Sequence, residues 1–351
     1  MHICVFFANF AAEFNYSMAL TRTYYRVAEH LFAVESSNSS LLQCMTNYEP
    51  FREPTPNPSL NAPHDAGVIG DPAKGRELGE EIFTLRVEGN EARGERREAK
   101  GREWTHVFTD NAEADMPRIE VYKARRPEGD EAKGEKEWLF RVAMVANAPI
   151  CCELECNEDF TEGLLHIAAD CQDVRFCIDN ALMLLFAFRT APLMTLEMHA
   201  AVVVRGEERG YLFLGHSGTG KSTHARQWLQ AFPDAWLLND DNPILRVMED
   251  GEVRVYGSPW SGKTPCYNNA YARVGGIIKL SQAPHNQIRK LSLPEAYAYI
   301  LSSASGLKIE RQMTDNMYNT IRDIITQVGC YHMECLPNTE AAEVCFSGCR
   351  V

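Results

Sequence analysis

The octapeptide GHSGTGKS at residues 215–222 constrains this chain more than any other feature. It matches the pattern G-x-x-x-x-G-K-[ST] at Gly215, Gly220, Lys221 and Ser222, with the apolar run YLFL before it and the helical pattern THARQWL after it. Glycines allow successive backbone N–H groups to face one anion, and the N-terminus of the following helix adds unpaired donors. In such a loop the lysine neutralises phosphate charge, and the hydroxyl of the serine can ligate Mg²⁺. We therefore predict a nucleotide-phosphate loop, which comprises Gly215, His216, Ser217, Gly218, Thr219, Gly220, Lys221, Ser222 and Thr223.

Two short connections restrict the sheet around this loop. RGEERG joins a strand ending at Val204 to one beginning at Tyr211, and EDGE joins Val247 to Val253. Parallel neighbours need a crossover of a dozen or more residues, so both links must form antiparallel hairpins. The candidate strands are LEMHAAVVV, GYLFLG, DAWLLND, PILRVME, VRVYGS and VGGIIKL, and the candidate helices are STHARQWLQAF, LPEAYAYILSSA and TDNMYNTIRDIITQV. For 195–351 we predict an α/β (α+β) nucleotide-binding domain with a mixed, largely antiparallel sheet around a P-loop core.

Residues 18–190 differ in composition from the C-terminal half, and we predict a smaller, antiparallel β-rich N-terminal region there. Short runs rich in β-branched and aromatic residues are typical of such strands: WTHVFT, RIEVYKA, WLFRVAMV and ICCELEC. YYRVAEHLFAVE fits a strand or a short helix, and VRFCIDNALMLLFAFRTA fits a mostly buried helix. Proline-rich residues 52–75 and charge-rich residues 76–137 indicate flexible connections. Met18 is an alternative start, so the first 17 residues need not belong to the folded unit.

Composition excludes several classes of protein. The 351 residues carry a formal net charge of −13, which disfavours nucleic acid and anionic membranes as partners. No apolar run is expected to reach the roughly 18–20 residues that cross a bilayer, and no basic residues precede the N-terminal apolar stretch as in a signal peptide. The 12 cysteines include no CxxC pair, so we expect reduced, apolar cysteines in a cytoplasmic protein and no zinc site.

Acidic and imidazole side chains accompany the predicted loop. In LLNDDNP, Asp240 and Asp241 end an apolar strand some 20 residues beyond Lys221, where nucleotide enzymes place a carboxylate on Mg²⁺. Two adjacent carboxylates can divide the work, one on the metal and one accepting a proton. The alternative is that both cap a turn before Pro243. His199 lies on the strand that feeds the loop through the hairpin, as a site residue or as a satisfied core histidine.

The upstream histidine, the antiparallel entry into the loop and the Asp-Asp strand end together resemble the catalytic domain of HPr kinase/phosphorylase, whose nucleotide core is related to that of phosphoenolpyruvate carboxykinase. The likeness is close for about 45 residues, from His199 to Asp241, and includes Ser217 as the inner serine of the loop. It implies ATP and Mg²⁺, with Asp241 as the base toward an acceptor hydroxyl and Asp240 with Ser222 on the metal.

The chain also departs from that family. Thr223 and His224 stand where the family has an acidic residue, and its later arginine-glycine loop is absent from the sequence. YGSPWSGKTPCYNN at 256–269 occupies that place, with Lys263 as a cation that could close over phosphates and Trp260 as a stacking surface. Arg273 and Arg289 are weaker candidates for the same charge. The alternative for the segment is an ordinary surface loop.

We therefore expect an ATP-dependent kinase that transfers the γ-phosphate to a hydroxyl of a protein, a peptide or a small amino acid. Its catalytic residues would be Asp241, His199, Lys221 and Lys263. Two other classes stay open: a nucleotide-binding regulatory or scaffold protein without turnover, and a carboxykinase-like enzyme. The sequence leaves open the acceptor, the reverse phosphorylase reaction, the role of the N-terminal half and the formation of a homo-oligomer.

Overall fold

A computed structural model describes residues 20–54, 80–91, 103–110, 116–125, 136–206, 208–262, 264–306, 308 and 310–349. The first 17 residues, Lys263 and most of the predicted proline-rich and charged connections lie outside the described residues. The described residues form two nine-stranded sheets and few helices, so the mixed α/β (α+β) class is confirmed.

The first sheet is built from the N-terminal half. Its strands are β1 (Thr21–Val27), β2 (His30–Ser36), β3 (Arg52–Glu53), β4 (Glu81–Glu91), β5 (Trp104–Asp110), β6 (Arg118–Ala124), β7 (Lys136–Ala143), β8 (Ile150–Asn157) and β9 (Glu162–Ala168). They lie in the order β3-β1-β2-β4-β9-β8-β7-β6-β5. The prediction of a smaller, antiparallel region was wrong in two respects: this sheet has as many strands as the second, and β4 runs parallel to both β2 and β9.

The segment YYRVAEHLFAVE forms the β1–β2 hairpin. Ala28 and Glu29 make its two-residue turn with φ values of +47° and +69°, and Val27 pairs with His30 across it. A two-residue turn with both φ values positive matches the twist of the flanking strands, so the chain reverses without a helix.

The predicted buried helix is α1 (Val174–Thr190), which Asp173 caps by accepting a hydrogen bond from the Phe176 N–H. Its apolar face, including Leu182, Leu185 and Phe186, is fully buried. Contrary to the expectation that no apolar run is long enough, Val174–Leu193 could by length and hydropathy cross a membrane, but 56% of its 18-residue apolar window is buried within the fold. Its apolar character is therefore accounted for by core packing. Short 3-10 turns cover Ser39–Cys44, Thr46–Phe51 and Ala191–Leu193.

The second sheet contains the predicted loop. Its strands are β10 (Thr195–Glu197), β11 (Ala200–Arg205), β12 (Arg209–Leu214), β13 (Trp236–Asn239), β14 (Ile244–Val247), β15 (Val253–Tyr256), β16 (Tyr271–Gln282), β17 (Gln287–Lys290) and β18 (Cys330–Cys335). The main path is β10-β14-β15-β16-β12-β11-β13, and β18 joins β16 to β17. The helices are α2 (Lys221–Ala231), α3 (Leu293–Ser303), α4 (Arg311–Gln327) and α5 (Thr339–Gly348).

Both predicted hairpins are confirmed, and the sheet is largely antiparallel. β11 pairs antiparallel with β12, and β14 pairs antiparallel with β15. β16 runs parallel to β12 and to β18. Leu214 lies opposite Lys279 in this register, so the loop that follows β12 and the C-terminal end of β16 share one edge of the sheet.

One buried apolar cluster extends through both halves of the chain. It includes Phe32 from the first sheet, Leu185 from α1 and Leu245 from the second sheet. Polar contacts also cross between the halves: Glu29 pairs with Arg246 and accepts a hydrogen bond from the Tyr256 hydroxyl. The division of the chain into 18–190 and 195–351 stays a prediction.

Candidate functional site

The glycine-rich loop joins the buried strand β12 to the N-terminus of α2. Gly218 and Gly220 have φ values of +77° and +104°, in the left-handed region where a Cβ atom introduces strain. At Gly215 a Cβ atom would lie 2.9 Å from the Thr219 side chain. These three positions therefore require glycine for conformation or for space.

Most backbone donors of this loop have no internal partner. The Thr219 N–H donates to the His216 carbonyl at 3.1 Å, whereas no described backbone carbonyl accepts from the N–H groups of Gly218, Gly220, Lys221 or Ser222. The Gln282 side chain, at the end of β16, donates to the carbonyls of Gly218 at 3.2 Å and Thr219 at 3.4 Å. The loop carbonyls are thus bound by protein while several N–H groups are available, which is an arrangement suited to an anion.

Three predicted residues meet beside this loop. The Lys221 ammonium donates to His199 Nε2 at 3.0 Å, and it also donates to the carbonyls of Gly215 at 2.9 Å and His216 at 3.4 Å. Asp241 Oδ1 lies 3.4 Å from the same His199 Nε2. His199 therefore lies between a cation and a carboxylate, with the side chains of His199 and Asp241 partly open to solvent. We call these residues the Lys-His-Asp cluster.

The environment shifts the pKa of each member. Burial, with the Lys221 charge as a second cause, lowers the pKa of His199, so a neutral imidazole accepts the Lys221 hydrogen bond. Burial also lowers the pKa of Lys221, against the opposing charges of Asp241 and Asp240. Burial raises the pKa of Asp241, while His199 and Lys221 act in the opposite direction. Shifts of this kind are common at sites of proton transfer.

Asn239 positions the two carboxylates. Its Oδ1 accepts hydrogen bonds from the backbone N–H groups of Asp241 at 2.9 Å and Asn242 at 2.8 Å, and its Nδ2 donates to the Trp260 carbonyl at 3.0 Å. The Ala200 N–H donates to the Asp241 carbonyl at 2.9 Å, which fixes the strand end beside β11. Sequence reasoning missed Asn239, although its place before the Asp pair is an ordinary turn-capping signal.

The predicted metal ligands can be located individually. Asp240 is 6% exposed, and no described side chain or backbone group forms a hydrogen bond or ion pair with its carboxylate. A carboxylate on a largely buried residue, with no partner among the described residues, fits a hard cation such as Mg²⁺, which prefers oxygen ligands. Ser222 lies half-buried in the first turn of α2. No described contact joins Ser222 to Asp240, so their sharing of one ion stays a prediction.

The segment 256–269 does not offer the predicted stacking surface. Trp260 is 2% exposed, and its Nε1 donates to the Tyr48 hydroxyl at 2.8 Å in the N-terminal half. The interpretation of Trp260 as a stacking surface was therefore wrong. Gly262 does border the site, because a Cβ atom there would lie 3.3 Å from Asp241 Cβ. Lys263, the next residue, lies outside the described residues and stays a prediction.

The two weaker arginine candidates have other partners. Arg273 lies opposite Arg209, at the far end of the β12–β16 ladder from the loop, and pairs with Glu252. Arg289 pairs with Glu295 at 2.8 Å. Lys279, which sequence reasoning missed, lies opposite Leu214, and its charge contributes to the lowered pKa of Lys221. Finding it required knowing that β16 runs beside β12.

Two further ionisable groups lie near the site. His224 is buried, accepts a hydrogen bond from Trp228 Nε1 at 3.1 Å, and has its pKa lowered by burial to about 4, which fits a neutral structural residue. Glu197, on β10, is 1% exposed, and in the described part of the chain its carboxyl oxygens form no hydrogen bond of good geometry. Burial first, and the Asp241 charge second, raise the pKa of Glu197 to about 8, while the nearby Ser305 side chain acts weakly in the opposite direction. At neutral pH Glu197 therefore holds a proton behind the Lys-His-Asp cluster.

Comparisons with known proteins find distant similarity among solved structures. No family model matches the chain, and no curated protein matches it. Among solved structures, the Hpr(Ser) kinase/phosphatase from Coxiella burnetii is 13% identical, with a TM-score of 0.27 over 44% of this chain and 88% of that chain. This similarity is distant, and at this TM-score it carries no argument about the family or the activity of this chain.

Proposed function

We propose that this chain is an ATP-dependent, Mg²⁺-requiring phosphotransferase that moves the γ-phosphate to a hydroxyl group. The observation that carries the proposal is the Lys-His-Asp cluster at a glycine-rich loop whose N–H groups are available. A loop of this kind binds the phosphates of a nucleotide, and a nearby carboxylate with a raised pKa can accept a proton.

Lys221 has two sets of partners in the proposed cycle. Without nucleotide its ammonium binds His199 Nε2 and the loop carbonyls. Phosphate oxygens carry more charge than these partners, so nucleotide binding would draw Lys221 toward the β- and γ-phosphates. The His199 lone pair and the Asp241 carboxylate are then left facing the acceptor. Asp241 would orient the hydroxyl and accept its proton, with neutral His199 as the neighbour that tunes its basicity.

Mg²⁺ would be held by Asp240 and Ser222, and its charge would stabilise the phosphate oxygens during transfer. Asp240 is suited to this role because its carboxylate is buried and lacks a described partner. If Asp240 binds the ion, Asp241 is free to accept the proton of the acceptor hydroxyl. The acceptor we propose is a serine of a protein or peptide, or a small amino acid with a hydroxyl group.

The test is transfer from γ-labelled ATP, with Mg²⁺, to fractions of a cell extract and to a set of hydroxyl amino acids. We expect Asp241→Asn to keep ATP affinity within about twofold and to lower the transfer rate about 10²–10⁴-fold, the usual contribution of a general base. Lys221→Ala should abolish ATP binding. Asp234→Asn is the matched control, since Asp234 pairs with Arg205 on the surface away from the loop.

The outcomes separate the proposal from its rivals. Labelling that persists in Lys221→Ala would contradict the site. ATP binding without transfer to any fraction would favour a nucleotide-dependent regulatory protein. Bicarbonate-dependent or decarboxylating activity with a keto acid, in place of hydroxyl phosphorylation, would favour carboxykinase-like chemistry.

A further inference from the structure

Four cysteine thiols converge between the first sheet and the beginning of α1, away from the glycine-rich loop. The Sγ atoms of Cys151, Cys152 and Cys177 all lie within 4.8 Å of one another. The Sγ atom of Cys171, in the turn before α1, lies 3.4 Å from that of Cys177. We call these four residues the thiol cluster. It is independent of the proposed phosphotransfer activity.

A β-bulge explains how two adjacent residues reach one cluster. Side chains of consecutive strand residues normally point to opposite faces of a sheet. Val142 pairs with Cys152, but the next residue, Ala143, pairs with Ile150, so Cys151 is the extra residue of β8. A bulge re-aims the side chain at this position, which brings Cys151 and Cys152 to the same thiol cluster.

The separations suit one soft cation. Zinc–sulfur bonds of about 2.3 Å in a tetrahedron put neighbouring sulfurs about 3.8 Å apart. The Sγ atoms of Cys151, Cys152 and Cys177 already lie within 4.8 Å of one another. Cys171 lies 3.4 Å from Cys177 but is not within 4.8 Å of all three, so its side chain is the one that must rotate to complete the tetrahedron. The sulfur of Cys177 also lies 3.8 Å from the Cys151 carbonyl, within the same small space.

Burial and access are both favourable. Cys151, Cys152 and Cys177 are buried, whereas Cys171 is partly exposed, so one sulfur of the thiol cluster is accessible to solvent.

We propose that Cys151, Cys152, Cys171 and Cys177 form a binding site for a thiophilic d¹⁰ cation, Zn²⁺ or Cu⁺. Both ions prefer thiolate ligands, and neither needs a redox change to bind. Each ligating thiol loses its proton to solvent as its sulfur–metal bond forms. The ion would link β8 to the first turn of α1 and stabilise the folded chain.

The experiment uses the full chain, reduced and metal-free under anaerobic conditions. Zn²⁺ and Cu⁺ are titrated separately against chelators of known affinity, and Cd²⁺ reports thiolate ligation through its charge-transfer absorption. We expect one ion per chain, and the ion with the higher affinity identifies the occupant. The thermal midpoint should rise on loading.

Variants locate the ligands. Cys177→Ser and Cys171→Ser should each lower metal affinity by at least about tenfold, because loss of a residue that only hydrogen-bonds to a metal ligand already lowers affinity by about that factor. Cys171→Ser is the safeguard if the buried substitution prevents folding, because Cys171 is partly exposed. Cys330→Ser is the matched control: Cys330 is buried on β18, its thiol donates to the Val328 carbonyl, and its variant should bind metal like wild type.

Three results would overturn the proposal. One is the absence of stoichiometric uptake of either ion by the reduced chain. Another is uptake that Cys171→Ser and Cys177→Ser leave unchanged. The third is protein that contains a Cys171–Cys177 disulfide when isolated without reductant and that still takes up no metal after reduction. That result would make the cluster a redox pair.

Discussion

Replacing Glu197 by glutamine should stabilise the protein at neutral pH. Glu197 is fully enclosed on β10, and burial together with the Asp241 charge raises its pKa from 4.5 to about 8. In the unfolded chain the carboxyl group ionises above its ordinary pKa, whereas the folded chain keeps it protonated until about pH 8. Glutamine has nearly the same shape and never ionises, so it removes the difference between the two states.

The magnitude follows from proton linkage. Below pH 4.5 Glu197 is protonated in both states, and its contribution to stability is fully present. From there to about pH 8 the free energy of unfolding falls by about 1.4 kcal/mol per pH unit because only the unfolded chain releases the proton. At pH 7 the accumulated loss is about 3 kcal/mol.

The assay is urea unfolding of wild type and Glu197→Gln at intervals from pH 4.5 to pH 8.5. The stability difference should be near zero at the acid end, grow through neutral pH and level off once pH exceeds the raised pKa of Glu197. Asp250→Asn, on the exposed turn after β14, is the control and should show no such growth. A difference that is constant with pH, or one in which glutamine is less stable at pH 8, would refute the reasoning.

Other expectations concern the site and its supports. If Asp241 is the base, kcat should fall as pH decreases through its pKa, which burial raises above 3.8, and Asp241→Asn should flatten that limb of the profile. Trp260→Phe should lower the free energy of unfolding by about 2 kcal/mol through the lost hydrogen bond to Tyr48 and the smaller ring, with ATP affinity unchanged in a binding titration. Lys279→Met should weaken ATP binding about tenfold as a cation beside Lys221 is lost, whereas Lys290→Met, exposed on β17, should bind as wild type does. Equal affinities of the two lysine variants would remove Lys279 from the site.

Local signals predicted the neighbourhood of the loop well. The hairpin from β11 to β12, the end of β13 just before Asp240 and the helix α2 all follow from short-range turn chemistry and hydrophobic periodicity. The approach of His199 to Lys221 follows in turn, because the hairpin sets His199 just before the strand that pairs with β12.

Features that depend on contacts between segments far apart in the sequence could not be predicted from local signals. The parallel β2–β4–β9 arrangement joins strands separated by long stretches of chain, and no local spacing specifies it. Trp260 lies in a segment rich in glycine, proline and serine, and its burial depends on Tyr48 in the other half. The four cysteines show no recognisable ligand spacing, since the bulge at Cys151 changes the direction of one side chain without changing composition.

The shared core between the two halves bears on how such a chain can evolve. α1 packs against β4 and β9 of the first sheet and against β10 of the second, so the same helix closes both. A segment starting at residue 195 would leave behind α1, which packs against β10, together with Glu29, which pairs with Arg246 and Arg254. The glycine-rich loop and its sheet therefore do not form an independently transferable unit. Recombination that moved them into another protein would also have to transfer α1 and the β1–β2 hairpin.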